Sequence, residues 1–299
     1  MSVWKRNAVF VLACVAMQTW AGGSPFLWRI ETAGAKPSYL FGSIHIPTPA
    51  VTNLAPCVER ALQSTDAVYC ELAFEPETLM KIGQASMNAR RPLSQVLPAD
   101  VYTRAEAELG RIVPGFKLAA IERAEVWVLM AELVMLDYQV KYPSVPALDL
   151  LLFQRAQAAG KETGGLETAE EQLGAMAAFT DAEQIEMLRS TLDEMQDLRK
   201  KGQDAVQLLL DAYLSGDAAA LDREVDRSYA TCTPALRKRF EQLLLVERNR
   251  RMADRIAKRI RTQPGKSTLF VIGTLHGLGQ GSVVDLLAKS GLTVERVKP

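Results

Sequence analysis

Short apolar runs lie near both ends of the chain, whereas apolar residues in its middle recur at helical spacing. The runs at residues 26–30, 38–41, 67–71 and 268–272 carry few polar interruptions, which is typical of buried strands. The first two predict a hairpin, because a turn containing Gly34 and Pro37 separates them.

The middle of the chain predicts helices joined by short turns. Apolar residues recur at helical spacing from residue 76 to about 142, with proline and glycine at the breaks, and a further helix at 147–159 stops at Gly160. A short strand at 161–167 follows. Thr168 then begins another helical region, with Glu171 placed three residues later for a capping box.

The closing segment predicts a strand, a helix at 283–289 and a last strand at 292–297, a unit that implies parallel strands. We therefore expect an α/β fold whose central sheet combines N- and C-terminal segments in parallel βαβ units. A single domain at 22–299 would contain core sheet segments and a large helical insertion. The sheet segments are predicted at 26–75, 161–167 and 266–298, and the insertion at about 76–160 and 168–262.

The first 21 residues have the pattern of a secretory signal peptide. Lys5 and Arg6 precede an apolar run from Ala8 to about Trp20, and Ala21 offers a small residue for cleavage. We therefore expect an exported, periplasmic protein, with an uncleaved N-terminal anchor as the alternative. No later apolar stretch reaches the roughly 20 residues that a membrane span requires.

The net charge gives no reason to expect nucleic acid or an anionic membrane as a partner. The 299 residues include 35 basic and 35 acidic ones, so nothing in the net charge favours nucleic acid or an anionic membrane. The basic segment at 233–262 also carries apolar residues at core spacing, which favours a solvated helix face over a nucleic-acid stripe. For an exported chain, the cysteines that remain predict a disulfide between Cys57 and Cys232, with Cys70 as a buried free thiol.

The candidate chemistry centres on the two histidines. His45 and His276 are the only histidines in the chain, and each ends a Gly-[Ser/Thr]-aliphatic-His sequence after an apolar strand. A lone histidine in an apolar setting is usually a hydrogen-bonded core residue. A matched pair at opposite ends of the chain favours one shared site instead.

Two glutamates have the same placement as the histidines. Glu71 and Glu167 each follow a short strand, and parallel strands end on one rim of a sheet, where ligands bind. Imidazoles and carboxylates suit zinc, manganese, iron or cobalt without deciding among them. With an open position, such an ion activates water, and a glutamate that is not a ligand serves as general base. Glu71 is predicted as ligand or base, and Glu167 as a catalytic partner; the alternative for Glu167 is a turn into the next helix.

Arg248 and Asn249, inside the basic segment, are candidates to stabilise an oxyanion or to orient Glu71. The alternative is a surface ion pair. The loop containing Gly277, Gly279 and Gly281 lacks the spacing and the later acidic residue of a dinucleotide fingerprint, so we expect it to let the backbone approach the site.

Four segments together resemble the TraB/GumN family. They are YLFGSIHIP at 39–47, GLETAEEQ at 165–172, ERNR at 247–250 and GTLH at 273–276. The similarity runs from about residue 26 to 297. The family is related to the Tiki proteins, membrane-anchored metal-dependent proteases that trim secreted Wnt signals, and to erythromycin-esterase-like and ChaN-like proteins. The resemblance implies a paired Gly-x-x-His metal site formed by His45, His276 and Glu71.

The resemblance also frames the functional expectations. The first is an exported metal-dependent hydrolase, a Tiki-like metallopeptidase acting on a peptide or other small substrate. The second is a non-catalytic cell-envelope accessory protein, linked to exopolysaccharide production or pheromone regulation, that uses the same site for a ligand or structural metal and has envelope proteins as partners. A third, an esterase-like hydrolase, rests on the distant relationship alone.

Overall fold

One mixed sheet organises the structure, a computed structural model that describes residues 22–87 and 89–298. The predicted signal peptide at 1–21 lies outside the described residues. In chain order the strands are β1 (Leu27–Glu31), β2 (Ser38–Ser43), β3 (Ala67–Cys70), β4 (Glu162–Gly165), β5 (Thr268–Gly273) and β6 (Thr293–Arg296). Their order across the sheet is β4-β3-β5-β2-β1-β6.

The four strands that carry the candidate residues are parallel. β3 pairs with β4 and β5, and β5 pairs with β2, in register from Tyr39 opposite Leu269 to Ser43 opposite Gly273. β1 is antiparallel to both β2 and β6, which confirms the predicted hairpin. β6 therefore runs in the same direction as β5, as the closing strand-helix-strand unit predicts, but β2 and β1 separate the two strands.

Helices surround this sheet and fill the middle of the chain, which confirms the predicted α/β class. They are α1 (Pro49–Thr52), α2 (Pro56–Ser64), α3 (Pro76–Ser86), α4 (Leu93–Val96), α5 (Ala99–Ile112), α6 (Val126–Lys141), α7 (Leu148–Ala158), α8 (Ala169–Ala177), α9 (Asp181–Lys200), α10 (Ala205–Ser215), α11 (Ala218–Ser228), α12 (Pro234–Phe240), α13 (Glu247–Thr262) and α14 (Val283–Lys289). A π-helical segment, Glu241–Val246, joins α12 to α13, and short 3₁₀ turns occupy Leu118–Ile121 and Thr274–Gly277. The Thr168–Glu171 capping box forms as predicted. Within the described ranges, no helix is both long and apolar enough to cross a membrane.

The apolar core has two main parts. The inner strands β1, β2, β3 and β5 are largely buried against α2, α7, α13 and α14, with Leu40, Phe270 and Ile256 fully enclosed. A second cluster, which includes Leu109, Leu129 and Leu188, packs α5, α6 and α9 together within the helical insertion. The sheet core also includes Tyr138, Leu210 and Leu221 from the insertion, so the sheet and the insertion pack together.

The predicted Cys57–Cys232 disulfide is wrong. Cys57, Cys70 and Cys232 are all free thiols. Cys57 lies in the core beneath the sheet, whereas Cys232 packs against a separate apolar cluster around Phe179 and Leu236. The sequence could not reveal this separation, because spacing along the chain does not measure distance between two different cores.

Candidate functional site

The carboxyl ends of four parallel strands bring the predicted residues to one rim. His45 follows β2, Glu71 follows β3, Glu167 follows β4, and His276 lies in the turn after β5. Because β3 and β2 flank β5, the two histidines and Glu71 come from three adjacent strands. The rim of the parallel strands is therefore a site built from both ends of the chain.

Gly273 lies at the meeting point of these three side chains. A Cβ added to Gly273 would lie 3.2 Å from Oε1 of Glu71, 3.6 Å from Nε2 of His45 and 3.7 Å from Cδ2 of His276. The missing side chain leaves a small cradle bordered by one carboxylate oxygen and two imidazoles. The glycine of the second Gly-x-x-His sequence thus makes room for the site.

Asn249 fixes the tautomer of His276. Its side-chain oxygen is 2.6 Å from Nδ1 of His276, and its Nδ2 donates to the Gly281 carbonyl at 3.0 Å. Since the amide oxygen can only accept, Nδ1 carries the proton and Nε2 keeps its lone pair. Nε2 faces Oε1 of Glu71 at 3.8 Å, and burial lowers the pKa of His276 to about 4. Asn249 and the glycine-rich loop therefore prepare a neutral imidazole.

His45 is held by a carboxylate that sequence reasoning missed. Its Nδ1 lies 3.1 Å from Oδ2 of Asp149, on α7, and the charge of Asp149 raises the pKa of His45 to about 9. The His45 side chain is 54% exposed, so it borders the cleft. In the described part of the chain, Oδ1 of Asp149 is buried without a hydrogen-bond partner. A lone carboxylate within the leucine-rich start of α7 was the available sequence signal.

Glu71 is buried and engaged through both oxygens. Oε1 accepts a hydrogen bond from the Gly273 amide at 2.5 Å, and Oε2 accepts from Arg248 at 2.5 Å and from Gln172 at 3.3 Å. Burial acts to raise the pKa of Glu71, but His276 and Arg248 outweigh it and lower the pKa to about 2. Glu71 is therefore an ionised, oriented carboxylate.

Arg248 links Glu71 to Glu167. Only 6% of Arg248 is exposed, so its contacts with these glutamates are not a surface ion pair. Its Nε and a terminal nitrogen donate to Oε2 of Glu167 at 2.8 and 2.6 Å, while Arg251 donates to Oε1 of Glu167 at 2.6 Å. Glu167 thus contacts arginines and lies behind Arg248. The structure brings Arg248 to Glu71 and brings Asn249 to His276.

A cleft of about 550 Å³ opens over the site, within the range typical of ligand pockets. His45, Glu71, Arg248 and His276 form its polar floor. Its walls are largely apolar and include Phe74, Met176, Leu209, Phe240, Leu244 and Leu275. The arrangement concentrates a few oriented polar groups beneath an apolar surface.

The donors partly fit a divalent ion. Two ligands with bonds of about 2.1 Å can lie at most about 4.2 Å apart, and Nε2 of His276 and Oε1 of Glu71 are within that limit. Both imidazoles have Nδ1 engaged, the arrangement by which proteins orient metal-binding histidines. Across residues 22–87 and 89–298, however, no three His, Cys, Asp or Glu side chains are already grouped to hold an ion. The exposure of the His45 side chain leaves its ring room to adjust on ion binding.

Known proteins with similar sequences include several that are named metalloproteases. The sequence profile of the TraB/PrgY/gumN family matches residues 26–296. Metalloprotease TIKI2 of Danio rerio is 28% identical over 92% of this chain, and Metalloprotease TIKI1 of Homo sapiens is 28% identical over 90%. Metalloprotease TIKI homolog of Nematostella vectensis is 26% identical over 92%.

The chain spans only part of these relatives, covering 61% of the Danio rerio and Homo sapiens proteins and 67% of the Nematostella vectensis protein. No solved structure matches the chain significantly. The family profile nevertheless covers all six described strands and the whole candidate site. The chain therefore belongs to the TraB/PrgY/gumN family.

Proposed function

We propose that this protein is a metal-dependent hydrolase, and specifically a metallopeptidase. One observation carries the proposal: both imidazoles are held through Nδ1, by Asp149 and Asn249, around the cradle at Gly273 where Glu71 is ionised. A histidine that only fills the core does not need Nδ1 to be held so that Nε2 faces a carboxylate. The similarity to proteins named metalloproteases supports the same chemistry.

His45, His276 and Glu71 are the residues that would hold the ion. A bound divalent ion supplies Lewis acidity, which lowers the pKa of a water ligand and polarises a carbonyl. We assign Glu71 as a ligand and not as general base, because a carboxylate whose pKa is lowered to about 2 is a weak proton acceptor. Manganese, cobalt, zinc and iron all suit this donor set.

Arg248 and Glu167 keep Glu71 in place. The guanidinium of Arg248 offsets the charge of the buried Glu71 carboxylate, and Glu167 in turn fixes Arg248. Without this pair, burial would favour a protonated Glu71 that binds cations poorly. Glu167 is thus a positioning residue, acting through Arg248, in place of the catalytic partner that the sequence suggests.

The cleft supplies the binding surface. Its apolar walls remove water from the region above the polar floor and strengthen electrostatic interactions there. Arg248 reaches the cleft floor and can also attract a carbonyl oxygen of a bound substrate. We propose export to the periplasm as the setting, from the signal-like pattern at residues 1–21; an uncleaved N-terminal anchor is the alternative.

The second candidate function is a non-catalytic envelope accessory protein. The observation that favours it is the engagement of Glu71 by Arg248 and Gly273, together with the lack of a grouped three-ligand set among the described residues. In that case the cleft binds a ligand or structural metal without turnover. Metal binding without hydrolysis of any peptide in a broad library would favour this function.

Metal affinity is the first test. We expect the purified mature protein to bind one divalent ion, whereas a His45→Ala, His276→Ala double variant loses at least about tenfold in affinity, since two ligands are removed. Binding is measured calorimetrically with manganese, cobalt and zinc, and circular dichroism confirms that the variant folds.

Glu77→Ala, at an exposed position on α3, serves as the control and should bind like the wild type. Equal metal affinity of the wild type and the double variant would contradict the proposed site. Binding that depends on both histidines, followed by hydrolysis of library peptides only with metal present, would support it.

A further inference from the structure

A second cavity adjoins the cleft. It has a volume of about 310 Å³ and lies among α6, α9, α10 and α11 within the helical insertion. Leu209 and Leu275 line both this cavity and the cleft, so the two spaces meet at these side chains. Each volume falls in the range of natural ligand sites.

The shared wall comes from the histidine motif itself. Leu275 lies between Thr274 and His276, and both Leu275 and Leu209 are only half-buried because they face open space. A ligand that contacts the floor of the cleft near His276 therefore has a short apolar path past Leu275. The second cavity therefore lies next to His276 of the candidate site.

The second cavity carries an excess of negative charge. Arg227 bonds to Glu194 at 3.0 Å and also pairs with Glu224, so one guanidinium serves two carboxylates. Arg199, the other lining cation, is engaged by the buried Glu108.

Asp204 adds a third carboxylate to the lining. It accepts a hydrogen bond from the Gln207 amide at 2.7 Å and, within the described residues, pairs with no cation. The cavity therefore combines apolar surface, from residues such as Met195 and Val225, with uncompensated carboxylates. Those features suit a cationic group on an apolar chain.

We propose that the cleft and the second cavity together bind one extended peptide, with apolar residues over Leu209 and Leu275 and a basic side chain in the second cavity. This rests on the proposed function only in taking the substrate to be a peptide. The preference arises from Asp204 and the Glu194–Arg227–Glu224 group, and is separate from the residues that would hold a metal.

The test measures binding without turnover. Acetylated, amidated hexapeptides of leucine and alanine carry one lysine at each position in turn, and matched peptides carry norleucine in its place. Binding to the protein is measured by calorimetry in EDTA. We expect the best lysine peptide to bind about threefold or more tightly than its norleucine counterpart, as one partly desolvated charge pair allows.

Two matched pairs of variants locate the effect. Asp204→Asn removes the charge but keeps a good helix N-cap, and Asp217→Asn makes the same change at the N-cap of α11, outside the cavity. Ala205→Trp fills the cavity from the first position of α10, and Ala99→Trp is its control at the exposed start of α5. We expect only Asp204→Asn and Ala205→Trp to lose the lysine preference.

Equal binding of lysine and norleucine peptides to the wild type would overturn the inference, as would a preference that survives both cavity variants. An equal loss in Asp217→Asn would also overturn it. A lysine preference with no hydrolysis of any peptide after manganese or zinc is added would defeat the proposed function and leave this inference standing.

Discussion

At the scale of single residues, the site depends on one missing side chain. Gly273 has φ near −56°, a conformation open to any residue, so its backbone does not require glycine. What requires glycine is the space next to Glu71, His45 and His276. Glycine at position 273 is therefore required by the site and not by the backbone conformation.

We expect Gly273→Ala to fold but to lose about tenfold or more in divalent-metal affinity. The new Cβ would lie 3.2 Å from Oε1 of Glu71, whose carboxylate Arg248 holds in place, so the donors must separate. Metal titration and thermal unfolding measure the two effects. Gly174→Ala is the control because its added Cβ meets no atom within 4 Å. Unchanged metal affinity in Gly273→Ala would show that the ion, if bound, lies elsewhere.

Arg248→Ala is expected to destabilise the protein by about 3–5 kcal/mol, because it leaves the buried carboxylates of Glu71 and Glu167 without their shared partner. Urea unfolding measures the change. Arg250→Ala, at an exposed neighbouring position, should stay within about 0.5 kcal/mol of the wild type. If Arg248→Ala proves as stable as Arg250→Ala, the buried ion pairs do not have the assigned role.

Residues that follow a repeated pattern lie together at the rim as expected, whereas contacts that cross between elements were missed. The two histidines and Glu71 are recognisable because each follows an apolar strand. The burial of Arg248 was not predicted: a surface ion pair stayed open for it, although Leu244 and Met252, four residues to either side, are buried. Asp149 was not found, because its contact with His45 depends on how α7 packs against β3, which no local spacing encodes.

At the scale of elements, α13 is joined to the β4–α8 segment by a ladder of ion pairs. Arg251 meets Glu167, Arg255 meets Glu171, and Arg259 meets Glu162 at 3.0 Å. The opposite charges of these two segments, visible in the sequence, therefore pair with each other instead of forming separate solvated faces. The ladder fixes the orientation of α13, and with it Arg248 and Asn249.

One rung of this ladder predicts a pH dependence. The Arg255 side chain lowers the pKa of Glu171 from 4.5 to about 2, so the rung stabilises the fold fully above pH 4.5 and is lost as pH falls towards 2. We expect Glu171→Gln to cost about 1–2 kcal/mol at pH 7 and progressively less below pH 4.5. Urea unfolding at several pH values measures the difference.

The double variant Glu171→Gln, Arg255→Gln provides the control. If the Glu171–Arg255 pair is the source, the double variant should show the same dependence on pH as Glu171→Gln alone, offset by a constant cost because Arg255 also donates to the Leu166 carbonyl. A cost of Glu171→Gln that stays constant from pH 7 to pH 3 would contradict the pairing.

The boundaries of helices and strands were largely predictable, but which elements lie next to each other was not. α14 matches its predicted bounds because Ser282 and Gly291 mark its ends. The π-helical segment Glu241–Val246 had no sequence signal, although it precedes Arg248 and places Leu244 and Leu245 in the cleft wall. The position of β6 beside β1 likewise depends on sheet order, which strand patterns leave open.

At the scale of the whole molecule, the predicted sheet from both chain ends is confirmed, and its arrangement explains the cleft. The helical insertion supplies walls such as Phe240 and Leu209, while the sheet supplies His45, Glu71 and His276. The strand rim therefore carries most of the polar floor of the cleft, and the insertion adds Arg248 and most of the apolar wall. Under the proposed function, changes in the apolar wall should alter which ligands bind without removing His45, Glu71 or His276.

The central place of β5 also governs when the molecule can assemble. β5 lies between β3 and β2 but is synthesised after most of the chain. β2 and β3 therefore stay unpaired on that side until β5 is made. Pairings between such distant segments form slowly, because a long loop must close first. A chain still emerging from a ribosome therefore holds His45 and Glu71 on strands that have no partner between them, and the candidate site forms only when the last strands arrive.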